Sequence, residues 1–196
     1  PPAKEIGALN TICLKDGRTY GYNTDYIGIL RMFRQSRISL KGKRVLILGN
    51  GGGARAAAVA VHHAGAAKIT VAGRRKDALD ELRTQFPFIE TVTYDAIDRG
   101  DIIINTTPVG MYPKVGVSAV GKEVLRRFRV AADIVYNPLE TEFLRLAKEE
   151  GLQVVTGLRM LIDQAIGSHE IWFGHQMKAE VSDALHRQLA ATVKAV

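Results

Sequence analysis

The chain has 196 residues, of which 46% are hydrophobic and 24% charged, ordinary values for a globular protein that buries a sizeable core. Its single cysteine, Cys13, excludes an internal disulfide and suits a reducing, cytoplasmic location. No apolar run approaches the roughly 18 residues of a membrane span, and we recognise no signal peptide, so we expect no membrane partner. Because the chain starts at Pro1 without a methionine, we interpret it as part of a longer protein.

The net charge of +7 raises nucleic acid as a partner. However, the 27 Lys and Arg residues are scattered, and no ladder of aromatic side chains is available to stack bases. A general attraction for anionic small molecules explains the charge as well. We therefore expect a small-molecule substrate and no nucleic acid.

The first residues predict a hairpin followed by a short helix. Strands over 6–14 and 18–22 are joined by an Asp-Gly turn, and a polar Asn-Thr-Asp run precedes a helix over 26–34. From spacing alone, Thr24 or Asp25 is more simply explained as a helix N-cap than as a catalytic group.

A glycine-rich stretch in the middle of the chain carries the most informative motif. An aliphatic strand over 45–48 is followed by Gly49, Gly51 and Ala54, which fit the G-x-G-x-x-G/A dinucleotide fingerprint. An alanine-rich helix over 54–64 comes next, so its first amides and its dipole would face a pyrophosphate. Because a strand precedes the loop and a helix follows it, we interpret the loop as a nucleotide site.

The residues after the next predicted strand, 68–72, indicate which nucleotide binds. An acidic residue at this point binds the ribose hydroxyls of NAD. Here Gly73 stands in its place, followed by Arg74 and Arg75. An arginine can hold the 2′-phosphate by a charge-assisted bond worth about 1.5–3 kcal/mol, roughly a 10- to 150-fold preference. We predict NADP, and a solvated loop arginine is the simpler alternative.

Strands and helices keep alternating, which predicts an α/β fold with a Rossmann-like, doubly wound parallel sheet. Polar and glycine-rich segments fall at the carboxyl ends of the strands, where ligands of such sheets bind. We predict further helices at 77–85, 123–128 and 140–150, and strands at 89–94, 101–105, 131–136 and 152–156.

The helix that follows Gly157 has two apolar stripes. The broad one starts at Leu158. The opposite one contains Met160 and Gln164, and either lines a cleft or is a surface glutamine beside apolar neighbours. The last helix, over 177–194, extends beyond the nucleotide fold, so we expect it to pack on something else.

Together these motifs resemble shikimate dehydrogenase, in order and spacing, over residues 6–174. The matching segments are 6–11, 21–25, 49–56, 73–75, 105–111, 133–138 and 157–164. The resemblance implies NADP-dependent, reversible hydride transfer between shikimate and 3-dehydroshikimate, a step of aromatic amino-acid biosynthesis.

The resemblance also implies residue roles. Asp25 would handle the hydroxyl proton, which now outweighs the capping interpretation, and no metal is expected. Substrate contacts are implied at Asn10, Asp25, Gln164 and Tyr136. Cofactor contacts, from the fingerprint and the resemblance together, are predicted at Gly49, Gly51, Gly52, Gly53, Ala54, Arg74, Arg75, Thr106, Val135, Gly157 and Met160.

The chain departs from the family pattern at its start. The family's N-terminal substrate domain, with a lysine that pairs with the carboxylate and two serines for the shikimate carboxylate, has no counterpart here. We divide the chain into a remnant of that substrate-binding domain (1–22), an NADP-binding domain (23–157) and C-terminal helices that return to the substrate domain (158–196). The family packs its final helix on the absent domain, so we expect this helix to expose an apolar face.

Alternatives stay open. The segment is either part of a shikimate dehydrogenase or a catalytically incomplete fragment that binds NADP. A quinate/shikimate dehydrogenase variant is a further reading, which Arg74 disfavours because it selects NADP. A homodimer is allowed by the sequence but not required by it.

Overall fold

The computed structural model describes residues 2–193. In chain order its strands are β1 (Thr11–Lys15), β2 (Arg18–Tyr22), β3 (Arg44–Leu48), β4 (Lys68–Gly73), β5 (Glu90–Thr93), β6 (Ile102–Asn105), β7 (Val130–Asp133) and β8 (Gln153–Val155). Its helices are α1 (Pro2–Ile6), α2 (Thr24–Gln35), α3 (Gly52–His63), α4 (Lys76–Gln85), α5 (Lys122–Leu125), α6 (Glu142–Glu149), α7 (Leu158–Phe173) and α8 (Ala179–Thr192).

Strands β1 and β2 form an antiparallel hairpin, and the other six strands form a parallel sheet in the order β5-β4-β3-β6-β7-β8. Counted within that sheet, the order is 3-2-1-4-5-6, the arrangement of dinucleotide-binding folds. The chain changes direction across the sheet between β5 and β6. The carboxyl ends of β3 and β6 therefore flank the point at which such folds bind their ligand, and the predicted fold class is confirmed.

Alternate residues of the central strand β3 face two different cores, as expected for a sheet covered on both sides. Ile47 packs in the core formed with α2, α3 and α4, whereas Leu48 packs in the core formed with α5 and α6. Residues 56–60 of α3, four alanines and one valine, have no exposed surface. Small side chains along this helix allow it to lie close to the sheet.

Helices α2 and α7 touch at two glycines. A Cβ added to Gly28 would lie 2.7 Å from the carbonyl oxygen of Met160, and one added to Gly167 would lie 3.2 Å from Ile27. The second stripe of α7 therefore faces α2 through Met160, which is only 7% exposed.

The broad stripe of α7 packs against α8. Leu158, Ile162 and Ile166 form a buried cluster to which Leu185 and Ala190 of α8 add their side chains. The last helix thus packs on α7, and our expectation that this helix exposes an apolar face is wrong for Leu185 and Ala190. The predicted end of this helix at Lys194 lies outside the described residues.

Two predicted element boundaries near the start of the chain are wrong. The first strand begins at Thr11 and not at Ile6, which ends α1 and is followed by Gly7 with φ +72°. Asn23, not Thr24 or Asp25, caps α2, since its side chain accepts a hydrogen bond of 3.2 Å from the amide of Tyr26.

Boundaries further along differ for local reasons. Strand β7 ends at Asp133 and not at 136, because the Asp133 carboxylate accepts the amide proton of Val135 at 2.9 Å and turns the chain. Helix α3 begins at Gly52, two residues before the predicted start. Helix α5 ends at Leu125, three residues early. Across residues 2–193, no helix combines the length and apolar character that crossing a membrane requires.

Gly28→Ala should push α2 away from α7, because the added Cβ would meet backbone that cannot rotate aside. We expect the free energy of unfolding to fall by about 1–3 kcal/mol, the usual cost of overpacking, in a urea titration. Gly52→Ala is the matched control, since a Cβ at that position meets nothing within 4 Å. Equal unfolding midpoints for wild type and Gly28→Ala would contradict the close helix contact.

Candidate active site

A cleft of about 910 Å³ lies at the carboxyl ends of the central strands. Four predicted cofactor residues line it: Gly49, Gly51, Arg74 and Thr106. Its volume is within the range of ordinary ligand sites, and its position is the switch point of the sheet. The structure therefore brings the fingerprint loop and the predicted phosphate-binding arginine to one site.

The glycine loop has the geometry that a pyrophosphate needs. Gly49 has φ +102°, and a Cβ there would lie 2.9 Å from the side chain of Thr107. Added Cβ atoms at Gly51 and Gly52 would meet nothing within 4 Å, so a ligand can approach this backbone closely. No side chain caps the first amides of α3, which leaves them available to an anion. These residues fit a dinucleotide.

The remaining fingerprint residues act in packing. A Cβ added to Gly53 would lie 2.7 Å from Ile134, and Ala54 has no exposed surface. Both positions therefore set how closely α3 approaches the sheet, and neither lines the cleft.

The two consecutive arginines differ in environment. Arg74 lines the cleft together with Tyr94, whose pKa is raised by burial and lowered in part by Arg74. Arg75 is outside the cleft lining and lies 3.9 Å from the carboxylate of Asp77. We predicted that both arginines contact the cofactor, and the structure places only Arg74 in the cleft lining.

Several cleft residues were not identified from sequence. Polar groups at the end of β5 and in the loop before α5 line the same space: Thr93, Asp95 and Ser118. Thr93 ends β5 and Asp95 comes just after it, so the rule that ligands bind at carboxyl ends of strands could have found both. Ser118 carries no comparable signal.

The predicted proton-handling residue lies beside a second predicted site residue. The amide nitrogen Nδ2 of Asn10 donates to Oδ1 of Asp25 at 3.1 Å. Burial raises the pKa of Asp25, and the hydrogen bond from Asn10 lowers it in part. A half-buried carboxyl group whose pKa lies nearer to neutral is suited to accept or donate a proton.

Gln164 is joined to this pair through Ser168. The Ser168 hydroxyl donates to the carbonyl oxygen of Gln164 at 3.1 Å and lies 2.8 Å from the Thr11 hydroxyl, next to Asn10. The contact of α7 with Gly28 also places Gln164 against the helix that carries Asp25. The fold therefore brings three predicted site residues together from distant parts of the sequence: Asn10, Asp25 and Gln164.

Tyr136, the fourth predicted substrate residue, lies on a different segment of the fold. It follows β7 and is 41% exposed. In the part of the chain that the structure describes, no hydrogen bond joins it to Asn10, Asp25 or Gln164.

Val135 and Gly157 meet where β7 and β8 end. A Cβ added to Gly157 would overlap the carbonyl group of Val135, so only glycine allows this approach. Gly157 is the N-cap of α7, three residues before Met160. The predicted cofactor residues Val135, Gly157 and Met160 are thus connected through the start of α7.

A buried hydrogen-bond network fixes the loops after β6 and β7. Asp133, with no exposed surface, accepts from Asn105 at 3.0 Å, from the amide of Val135 at 2.9 Å and from the Thr141 hydroxyl at 2.7 Å. Asn105 in turn accepts from the hydroxyl of Thr107 at 2.7 Å. Despite these donors, burial raises the pKa of Asp133 to about 6. From sequence, Asn105 and Asp133 belonged to motifs but had no predicted role.

Asp133→Asn should change how stability depends on pH. A folded-state pKa of about 6 against an ordinary value of 3.8 means that ionisation costs more in the folded chain. Stability contributed by the protonated form is therefore lost as pH rises from about 4 to about 6, by about 3 kcal/mol in total.

The stability of wild type relative to Asp133→Asn should fall by that amount between pH 4 and pH 7, measured by urea titration. Asp80→Asn, on the exposed face of α4, is the control and should run parallel to wild type. If the free energies of unfolding of wild type and Asp133→Asn differ by a constant amount across this range, the raised pKa of Asp133 is contradicted.

Comparison with known proteins gives consistent results. The family model for shikimate / quinate 5-dehydrogenase matches residues 32–113. The NADP(+) shikimate dehydrogenase of Clostridium perfringens is 40% identical over 189 residues, covering 95% of this chain and 70% of that protein.

Solved structures agree with this result. A chorismate mutase/shikimate 5-dehydrogenase fusion protein from Clostridium acetobutylicum superposes with a TM-score of 0.91 at 36% identity, over 99% of this chain and 71% of that one. Shikimate 5-dehydrogenase from Thermus thermophilus, solved with NADP(H) and shikimate, gives 0.85 at 34% identity, over 96% and 70%. The motifs, the sheet order and these similarities together show that the chain belongs to the shikimate dehydrogenase family.

Proposed function

We propose that this chain carries out the NADP-dependent, reversible oxidation of shikimate to 3-dehydroshikimate. The observation that carries the proposal is the pairing of Asp25 with Asn10 at 3.1 Å, next to the helix that carries Gln164. The cleft lined by the glycine loop and Arg74 supports the choice of a phosphorylated dinucleotide. The named activity of the similar proteins supports the choice of substrate.

Asp25 acts on the proton of the substrate hydroxyl. Oxidation of a secondary alcohol releases that proton together with a hydride, and bound NADP⁺ accepts the hydride. The raised pKa of Asp25 suits both taking up the proton in this direction and returning it in the other. A positioned acid or base of this kind contributes about 10²- to 10⁴-fold to the rate.

Asn10 and Gln164 orient the substrate. The amide group of Asn10 has two N–H bonds, of which one is directed at Asp25 and the second can donate to a substrate hydroxyl. Gln164 is half-buried, and its side-chain amide can both donate and accept. In this proposal Tyr136 is the fourth residue that contacts the substrate.

The cofactor contacts divide by chemistry. The amides at the start of α3, in the 49–54 segment, hold the pyrophosphate, and Arg74 holds the 2′-phosphate. Gly157 and Met160 would lie beside the nicotinamide ring, and Thr106 and Val135 would also contact the cofactor. Arg75 contributes only general positive charge.

A second candidate function is a cofactor-binding unit that needs another segment for turnover. Within residues 2–193 the described partner of Asp25 is Asn10, and the carboxylate forms no ion pair. The chain spans 70% of the Clostridium perfringens relative. If the family's lysine is indispensable, the described residues bind NADP and do not react.

Our proposal includes the wider setting of the enzyme. We propose a cytoplasmic protein, consistent with the lone free thiol of Cys13, that acts on a small molecule without nucleic acid or membrane. The division at 22 and 157 and a homodimer remain proposals, to be tested by limited proteolysis and light scattering.

Asp25→Asn tests the proposed reaction. Asparagine keeps the shape but cannot take the proton, so NADP⁺ reduction with shikimate should slow by about 10²- to 10⁴-fold. Calorimetric titration should show unchanged NADP⁺ affinity, and Asp80→Asn should keep wild-type turnover. If wild type binds NADP⁺ but does not turn over, the second candidate stands. If it binds neither NADP⁺ nor NAD⁺, both candidates are wrong.

Arg74→Ala tests the cofactor choice. Loss of a charge-assisted bond of about 1.5–3 kcal/mol should weaken NADP⁺ binding by roughly 10- to 150-fold and leave NAD⁺ binding unchanged. Arg75→Ala is the matched control, because that side chain lies outside the cleft lining. Equal losses for both nucleotides, or a larger loss from Arg75→Ala, would contradict the assignment.

A further inference from the structure

The orientation of the Asn10 amide follows from one obligate donor. The backbone nitrogen of Thr24 lies 2.8 Å from Oδ1 of Asn10, and a backbone N–H can only donate, so the atom it faces is the amide oxygen. The amide nitrogen is then the atom 3.1 Å from the Asp25 carboxylate. The flipped amide would set oxygen against oxygen at Asp25 and N–H against N–H at Thr24.

Three hydroxyl groups form a cluster on the buried side of this amide, and two of them, on Thr11 and Thr24, lie within 3.2 Å of its oxygen. Thr24 is 1% exposed and Thr11 is 3% exposed. The Thr24 hydroxyl lies 3.1 Å from Oδ1 of Asn10 and 3.2 Å from the Ser168 hydroxyl, and the Thr11 hydroxyl lies 2.8 Å from Ser168. We call these three residues the hydroxyl cluster. It joins β1, α2 and α7 without any charged group.

Each hydroxyl has a single proton, which limits how the cluster can be arranged. Ser168 donates its proton to the carbonyl oxygen of Gln164, so its own oxygen accepts from Thr11 at 2.8 Å. Because the proton of Thr11 is used there, Oδ1 of Asn10 is left to the Thr24 hydroxyl, which lies 3.1 Å from it and 3.2 Å from Ser168, so we assign the Thr24 proton to Asn10. Thr24 thus supplies two donors, one from its backbone and one from its side chain.

We propose that Thr24 is a positioning residue, which through the hydroxyl cluster locks the Asn10 amide so that its N–H group holds the Asp25 carboxylate. The inference rests on the proposed function, because it gives Thr24 a role in the reaction only if Asp25 handles the proton. Thr24 itself touches neither the substrate nor the cofactor in this assignment.

The positioning of the Asn10 amide affects the pKa of Asp25. Burial raises its pKa, the Asn10 hydrogen bond lowers it, and no charged side chain among the described residues contributes. A looser Asn10 amide spends less time with its N–H group toward the carboxylate. The charged form of Asp25 then loses part of the one contact that stabilises it among the described residues, and its pKa rises further.

The test compares Thr24→Val with Thr24→Ser by carbon-detected NMR titration of Asp25 in the cofactor-free chain. Valine keeps the shape and removes the hydroxyl, so the pKa of Asp25 should rise by about half a unit to one unit, whereas serine should restore it. Thr141→Val is the matched control, since it removes a hydroxyl buried beside Asp133 and should leave Asp25 unchanged. An unchanged Asp25 pKa in Thr24→Val overturns the proposal.

For Ser168→Ala we expect no rise in the pKa of Asp25. Without Ser168 as acceptor, the Thr11 hydroxyl is free to donate to Oδ1 of Asn10, 3.2 Å away, so the amide stays locked. The pKa of Asp25 should then stay constant or fall. A rise of about half a unit or more in Ser168→Ala would mean general loosening and would overturn the proposal, and this result does not require Thr24→Val to fold.

A kinetic readout separates this proposal from the proposed function. If the chain turns over shikimate, the acidic limb of the pH profile should move upward in Thr24→Val and return in Thr24→Ser, with unchanged NADP⁺ affinity. Absence of turnover in wild type would count against the proposed function only, because the NMR titration needs no substrate. A shifted Asp25 pKa without a shifted pH profile would overturn the link to the reaction.

Discussion

The close approach of α2 and α7 at Gly28 is the constraint on which the candidate site depends. Asp25 lies three residues before Gly28 on α2, and Gln164 lies one turn after Met160 on α7, so this contact sets the distance between the two predicted substrate residues. The same helix α7 starts at Gly157, which packs on the end of β7. One helix therefore connects the substrate side to the nucleotide end of the sheet.

Burial raises the pKa values of both Asp25 and Asp133, but the two carboxyl groups have different surroundings, which suit them to different tasks. Asp133 is fully buried and accepts three hydrogen bonds, which commits it to holding loops. Asp25 is half-buried, and its described contact is one amide. A group that exchanges protons with a ligand needs that remaining access, and Asp133 lacks it.

The sequence predicted what short-range patterns control. The aliphatic strand, the glycine loop and the alternation of elements are local, so the Rossmann-like sheet followed from them. Other features depend on tertiary contacts. The position of Arg74 in the cleft, the docking of α8 on α7 and the bond from Asn105 to Asp133 arise between residues far apart in sequence. The cap at Asn23 was missed because three neighbouring residues are all good caps and spacing cannot rank them.

The neutral surroundings of Asp25 determine how it would respond to a partner charge. Its carboxylate is stabilised by one amide and opposed by burial, so no nearby cation among the described residues fixes its ionisation. A lysine brought beside it, as the family resemblance implies, would lower its pKa by direct attraction and favour the anion, which is the form that removes a proton. Without that charge, a larger fraction of Asp25 is protonated. The protonated form is the one that returns a proton to the ketone. In the proposed mechanism, the pH range in which each direction of the reaction runs fastest is therefore set at Asp25 by electrostatics, on a geometry that neutral hydrogen bonds hold in place.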